Sequence, residues 1–192
     1  MIHHALQIIR DELQQCIGAK LKPQSKVTYA SLANPTNDQG EPGWPANALA
    51  LSLVNVEEER ILRNQAPVVC RDGDQAEFAT APLKLHLYLL VSANFNEYID
   101  SLRYLAYAMS FFQTKAVFNH QNAPGMHADL EQLNLELHSL TFEQLNQLWG
   151  ALGAKYVPSA LYVVKLVCLG EDQVEMRGPR IVRPDYRGRG MG

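Results

Sequence analysis

Six histidines and three cysteines in a chain of 192 residues invite a metal ion or a nucleophile, but their spacing argues against both. His3 and His4 are adjacent, and His120 with His127 falls in a loop with no carboxylate or cysteine at ligand spacing, so no four-ligand zinc site is expected. His86 and His138 occupy the polar positions of alternating stretches, where a solvent-facing or hydrogen-bonded ring is expected rather than a general base. Cys16, Cys70 and Cys168 are far apart and form no C-x-x-C pair. Cys16 continues the apolar face of a first helix and Cys168 lies in the last apolar strand; both read as small core hydrophobes in a reducing compartment, with no disulfide. Glu57, Glu58 and Glu59 end a strand beside Arg60 without a nucleophile or base nearby, which is the pattern of a solvated face. The Gly-rich and catalytic signatures of nucleotide-binding enzymes, serine hydrolases and zinc proteases do not occur. Gly150 and Gly153 close a helix and do not open one, so they cannot cradle a phosphate. No catalytic residue, cofactor or metal is therefore expected.

Charge points elsewhere. The net charge of −3 conceals a division, because residues 177–192 hold five arginines against one aspartate and everything before them sums to −7. Arg177, Arg180, Arg183, Arg187 and Arg189, with Tyr186 among them, have too few apolar neighbours to build a core and read as a partner-binding arm. Such a segment can grip phosphates, or it can lie on an acidic protein surface and extend a neighbour's sheet through its backbone. The acidic body argues against nucleic acid as the partner. Trp44, in a loop from Pro23 to Asn47 with four prolines and two glycines, is either offered to a neighbour or tucked under that loop.

The elements that position these groups can be read from periodicity. Ile2, Leu6, Ile9, Leu13 and Cys16 form one stripe of a helix over 2–17 that Gly18 and Pro23 terminate. Leu49, Leu51 and Leu53 alternate and then slip phase at Val54 and Val56, which predicts a strand with a bulge or two-sided burial. A second loop runs through Gly73 and Pro82. Leu83 to Val91 alternate as a strand, and a helix follows from about Asn96, as N-cap, to Phe118, with Tyr98, Leu102, Leu105, Met109, Phe112 and Ala116 as its core face. Tyr104 and Phe111 exceed what one stripe needs and are candidates for a subunit contact. Leu133, Leu135 and Leu137 alternate as another strand. Thr141 and Gln144 form a capping box with Leu140 and Leu145 as a staple, and residues 160–169 suit a strand covered on both faces.

With 47% hydrophobic residues the chain can bury a sizeable core. The expected class is α/β (α+β), a mixed sheet flanked by helices, as a single domain over 1–170 with an arginine/glycine-rich arm over 171–192. The charges in the first dozen residues exclude a signal peptide, and no membrane-length apolar run occurs, so a cytoplasmic protein with no membrane contact is expected.

Several of these stretches resemble the cap or terminator proteins of extracellular contractile injection systems of the antifeeding-prophage type. They are Ile2–Ile17, Val27–Ala33, Asn47–Glu58, Leu83–Phe95, Leu102–Phe112 and, most distinctively, Leu148–Tyr162 with Trp149, Gly150, Gly153, Tyr156, Val157 and Pro158. The resemblance implies a tail-terminator-like fold, closure of six copies into a homo-oligomeric ring at the end of the inner tube where the last sheath ring also attaches, an inner tube protein and a sheath protein as partners, and neither catalysis nor a cofactor. Assembly is expected in the cytoplasm, into a particle that is released, membrane-anchored or retained there.

Overall fold

The computed structural model describes residues 1–20, 30–32, 47–59, 68–72, 75–79, 84–168 and 174–179. Two compact units emerge, Met1–Arg60 with Leu83–Leu169, and Ile61–Pro82 with Gly170–Gly192.

The larger unit opens with helix α1 (Ile2–Lys20). Strands β1 (Ala30–Leu32) and β2 (Ala48–Glu58) follow, and after the segment that belongs to the smaller unit come β5 (Lys84–Asn94), α2 (Tyr98–Thr114), β6 (Val117–Asn119), β7 (Leu130–His138), α3 (Phe142–Leu152) and β8 (Ser159–Cys168). The sheet order is β1-β2-β5-β8-β7-β6. Only the β1–β2 edge is parallel; β2, β5, β8, β7 and β6 pair antiparallel, so the expected mixed sheet with flanking helices is present.

Side chains alternate across this sheet because successive Cβ atoms leave opposite faces. Leu49, Leu51, Leu87, Leu89, Val91, Tyr162, Val164 and Leu166 form one core with Ile9, Leu13 and Ile17 of α1 and Ala108, Phe111 and Phe112 of α2. Ala50, Leu90 and Leu161 face the other way and meet Trp149 of α3. Full burial of one such aliphatic or aromatic side chain contributes about 1.5–3 kcal/mol. The α1/α2 face therefore supplies most of the stability, and α3 adheres through Trp149 and partly buried leucines.

Both expectations for β2 hold. Residues 48–52 are buried on both faces, and the register slips between Leu53 and Asn55, leaving Val54 as the extra residue of a bulge. The α3 start is also as expected: Thr141 Oγ1 accepts from Gln144 N at 3.3 Å, while Thr141 N donates to Gln144 Oε1 at 3.0 Å. Gly153 ends the helix at φ 63°, a conformation that costs an L side chain energy.

Two elements differ from expectation. Helix α2 begins at Tyr98 with Glu97 at the N-cap and no side-chain cap, one residue later than expected, and the backbone N–H of Asn96 donates to Asn47 Oδ1 at 3.1 Å. The helix stops at Thr114, and Val117–Asn119 pairs with β7 as an edge strand, since Val117 and Phe118 prefer a half-buried pleated surface.

The smaller unit holds β3 (Val68–Asp72), β4 (Gln75–Ala79) and β9 (Val174–Pro179) in the order β3-β4-β9, all antiparallel. The loop expected through Gly73 thus includes a hairpin, in which Asp72 pairs with Gln75 across two residues, and Cys70 lies in β3. The first residues of the expected arm supply a strand, and β8 is followed by a further strand. Among the described residues no helix is long and apolar enough to cross a membrane.

Candidate assembly surface

Helix α2 is apolar on more than one side, and the sheet takes only part of it. Ser101, Ala108, Phe111 and Phe112 are buried, with Tyr104 and Leu105 packed at their margin. Tyr104 stacks on Phe95, ring centroids 4.3 Å apart and planes 6° apart. This leaves Tyr98 at 67%, Ile99 at 66% and Leu102 at 45% exposure, with Met109 also exposed. Residues 98, 102 and 109 share a stripe at helical spacing.

The core face expected from periodicity is therefore half right. Phe112 is core and Leu105 is partly buried, whereas Tyr98, Leu102 and Met109 point outward. Phe111, a candidate for a subunit contact, is buried, edge-on to Phe118 at 6.2 Å. A small residue at Ala108 beside Phe111 and Phe112 offers a deeper seat on the sheet than the stripe through Leu102 and Met109, and that decides the helix rotation. The sequence did signal an excess of apolar residues over one stripe; it did not tell which stripe is outward.

The exposed surface continues past the helix. Met109 and Leu137 of β7 both line a shallow groove of about 290 Å³ whose floor includes Leu90, Leu140, Leu145 and Leu161. Leu137 is exposed, and Phe142, the first residue of α3, is 92% exposed. Tyr156 is exposed too and meets Trp149 edge-on at 5.5 Å. Met109 and Leu137 thus bring exposed apolar side chains to one groove.

Several polar groups near the end of β2 are engaged locally. Tyr88 Oη donates to Glu57 Oε2 at 2.9 Å and Asn55 Nδ2 to Glu57 Oε1 at 3.2 Å; the Glu57 hydrogen bond, then burial and the carboxylate's charge, raise the Tyr88 pKa. His86 Nε2 approaches Glu59 at 3.9 Å, and His138 meets the Tyr88 ring edge-on at 5.8 Å. Neither histidine is paired with a nucleophile in these contacts. The acidic strand end is a solvated face held by neighbours.

Of the residues expected to bind a partner, Arg177 belongs to β9, in register with Glu77 of β4. Arg180, Arg183, Tyr186, Arg187, Arg189 and Trp44 lie outside the described residues.

Comparison with known proteins adds the following. Residues 4–183 match the family model described as the Pvc16 N-terminal domain. No curated protein matches the sequence. Among solved structures, the fold is similar to the sheath/tube terminator of the PVC extracellular contractile injection system in its extended state, with a TM-score of 0.54 and 11% identity over 95% of this chain and 64% of that one. It is also similar to the tube-terminating cap of the anti-feeding prophage, with a TM-score of 0.51 and 9% identity over 91% of this chain and 60% of that one. The chain thus spans somewhat less than two thirds of the length of each. At these identities the likeness is one of fold.

Proposed function

Because the chain belongs to the Pvc16 N-terminal domain family, we propose that it is a non-enzymatic subunit of the cap that ends the inner tube of a contractile injection particle. The observation that supports this most is the shared fold over 95% and 91% of the chain with a tube terminator and a tube cap. The exposed stripe of α2, with Met109 and Leu137 leading into the groove beside α3, suits a subunit that buries apolar surface only on assembly.

In this reading six copies close into a ring. A cyclic assembly has two unlike faces: one matches the last ring of the tube, and the other offers no template for a further ring, so growth stops. Particle length follows from that asymmetry, and the last sheath ring attaches at the same place. The arginines of the arm, Arg177, Arg180, Arg183, Arg187 and Arg189 with Tyr186, meet acidic surface on an adjacent cap subunit or sheath protein, where charge complementarity fixes register, and Trp44 contributes to the same contacts. Assembly takes place in the cytoplasm.

Electron microscopy of particles assembled from tube and sheath components, with and without this chain, tests the proposal. With it, tubes of uniform length end in a ring-shaped cap and extended sheaths remain attached. Without it, tube length is uncontrolled or sheaths detach. Identical particles in both preparations, with no added density at the tube end, would remove the cap role.

A further inference from the structure

His4 lies in the first turn of α1, and His127 and Asp129 lie between β6 and β7. The fold brings them together. The rings of His4 and His127 stack with centroids 3.8 Å apart and planes 17° apart, and Asp129 Oδ2 stands 3.1 Å from His127 Nδ1. His4 Nδ1 is shielded from solvent and has no hydrogen-bond partner. One donor atom from each of the three residues lies within 4.8 Å of the others. Asp129, two residues beyond His127, is the carboxylate that ligand spacing in the sequence overlooked, and His4 reaches it only through tertiary structure.

We propose that His4, His127 and Asp129 form a site for one divalent transition metal ion of the zinc class, which ties the first turn of α1 to the β6–β7 connection. Two imidazoles and one carboxylate are a donor set for borderline metals, whereas calcium and magnesium demand more oxygens. Bonds of about 2.0–2.1 Å in a tetrahedron place neighbouring ligand atoms about 3.3 Å apart, close to the 3.1 Å between His127 Nδ1 and Asp129 Oδ2; the His4 ring must turn out of its stack on His127 for both imidazole lone pairs to point at one ion. An unpartnered, solvent-shielded imidazole nitrogen costs energy in the protein alone and gains a partner when the ion binds. The site opens on a cleft of about 360 Å³ through which an ion can enter; Asp11 and Glu12 along it are paired with Arg10 and Lys115. Three protein ligands leave a fourth position for water.

The test is zinc chloride titrated into the full-length chain, expressed without a histidine tag, by calorimetry at pH 7.5. One ion per chain with a Kd on the order of 1 μM is expected. His4→Gln and His127→Gln each weaken binding by about 100-fold or more, and Asp129→Asn by at least about 10-fold. His120→Gln leaves it unchanged, because His120 Nε2 is already engaged with Leu130 O at 2.8 Å; His3→Gln likewise leaves it unchanged. Substoichiometric binding, or binding unaltered in both His4→Gln and His127→Gln, overturns the assignment. Should a variant misfold by circular dichroism, cobalt bound to the unaltered chain decides: visible bands of a four-coordinate site support it, and the spectrum of the hexaaqua ion overturns it. The cap reading is independent of either outcome.

Discussion

Single residues in this chain can be tested for the conformations and environments that hold them. Gly150 lies inside α3 with open space where a Cβ would stand, while Gly153 has φ 63°. Gly150→Ala should stabilise the protein by about 0.5–1 kcal/mol through helix propensity, and Gly153→Ala should destabilise it by about 1 kcal/mol because an L side chain is strained there. Denaturant midpoints measured side by side check both; equal shifts of one sign would show that the αL cap does not matter. Tyr162 offers a pH test. It is 4% exposed, packs against Phe112 at 4.9 Å between ring centroids, and burial pushes its pKa from 10.0 up to about 12. The folded state therefore keeps its proton where the unfolded chain has lost it. That contribution to stability is complete below pH 10 and disappears as pH rises from 10 towards 12. Unfolding curves at pH 9, 10 and 11 should fall more steeply for the native chain than for Tyr162→Phe, and parallel curves would count against the shift.

Among the elements, those whose burial follows one simple period were legible and α2 was not. The stripe of α1, the alternation of β5, the two-sided burial of β8 and the capping box of α3 each depend on neighbours in sequence, and each was readable. Helix α2 has apolar residues on two stripes, so periodicity admitted two rotations, and only packing against Phe118, Tyr162 and α1 selects one. The hairpin of β3 and β4 and the strand β9 form a small sheet whose pairing joins segments about a hundred residues apart, which no local pattern reveals. The two rotations of α2 separate experimentally. Phe112→Ala should cost about 3–5 kcal/mol by leaving a cavity in the core. Leu102→Glu with Met109→Glu should change stability by less than about 1 kcal/mol, as exposed substitutions do, yet abolish ring formation and tube capping. Thermal unfolding with negative-stain microscopy of the same samples checks this, and a severe loss of stability in the double variant would return that stripe to the core.

For the whole molecule, the chain passes between its two units at Arg60–Ile61, Pro82–Leu83 and Leu169–Gly170, and the strands that precede the first of these and follow the second are paired. Glu58 pairs with Leu85, and Glu59 N donates to Lys84 O at 3.1 Å, so β2 and β5 end side by side where the smaller unit is inserted. A short turn can therefore replace it, as a hairpin loop of a few residues closes adjacent antiparallel strands. A chain in which a four-residue Gly/Asn turn replaces 61–82 and which ends at Leu169 should remain folded and unfold cooperatively, with the near-ultraviolet dichroism of Trp149 and its aromatic neighbours retained. If the arginines of the arm attach the cap to its neighbours, the same chain should fail to hold extended sheath at the tube end. Loss of cooperative unfolding in the shortened chain would mean that the larger unit depends on the smaller one. Retained folding with normal sheath attachment would instead place the contacts on the larger unit, with the α2 stripe and the groove beside α3 as the surface that makes them.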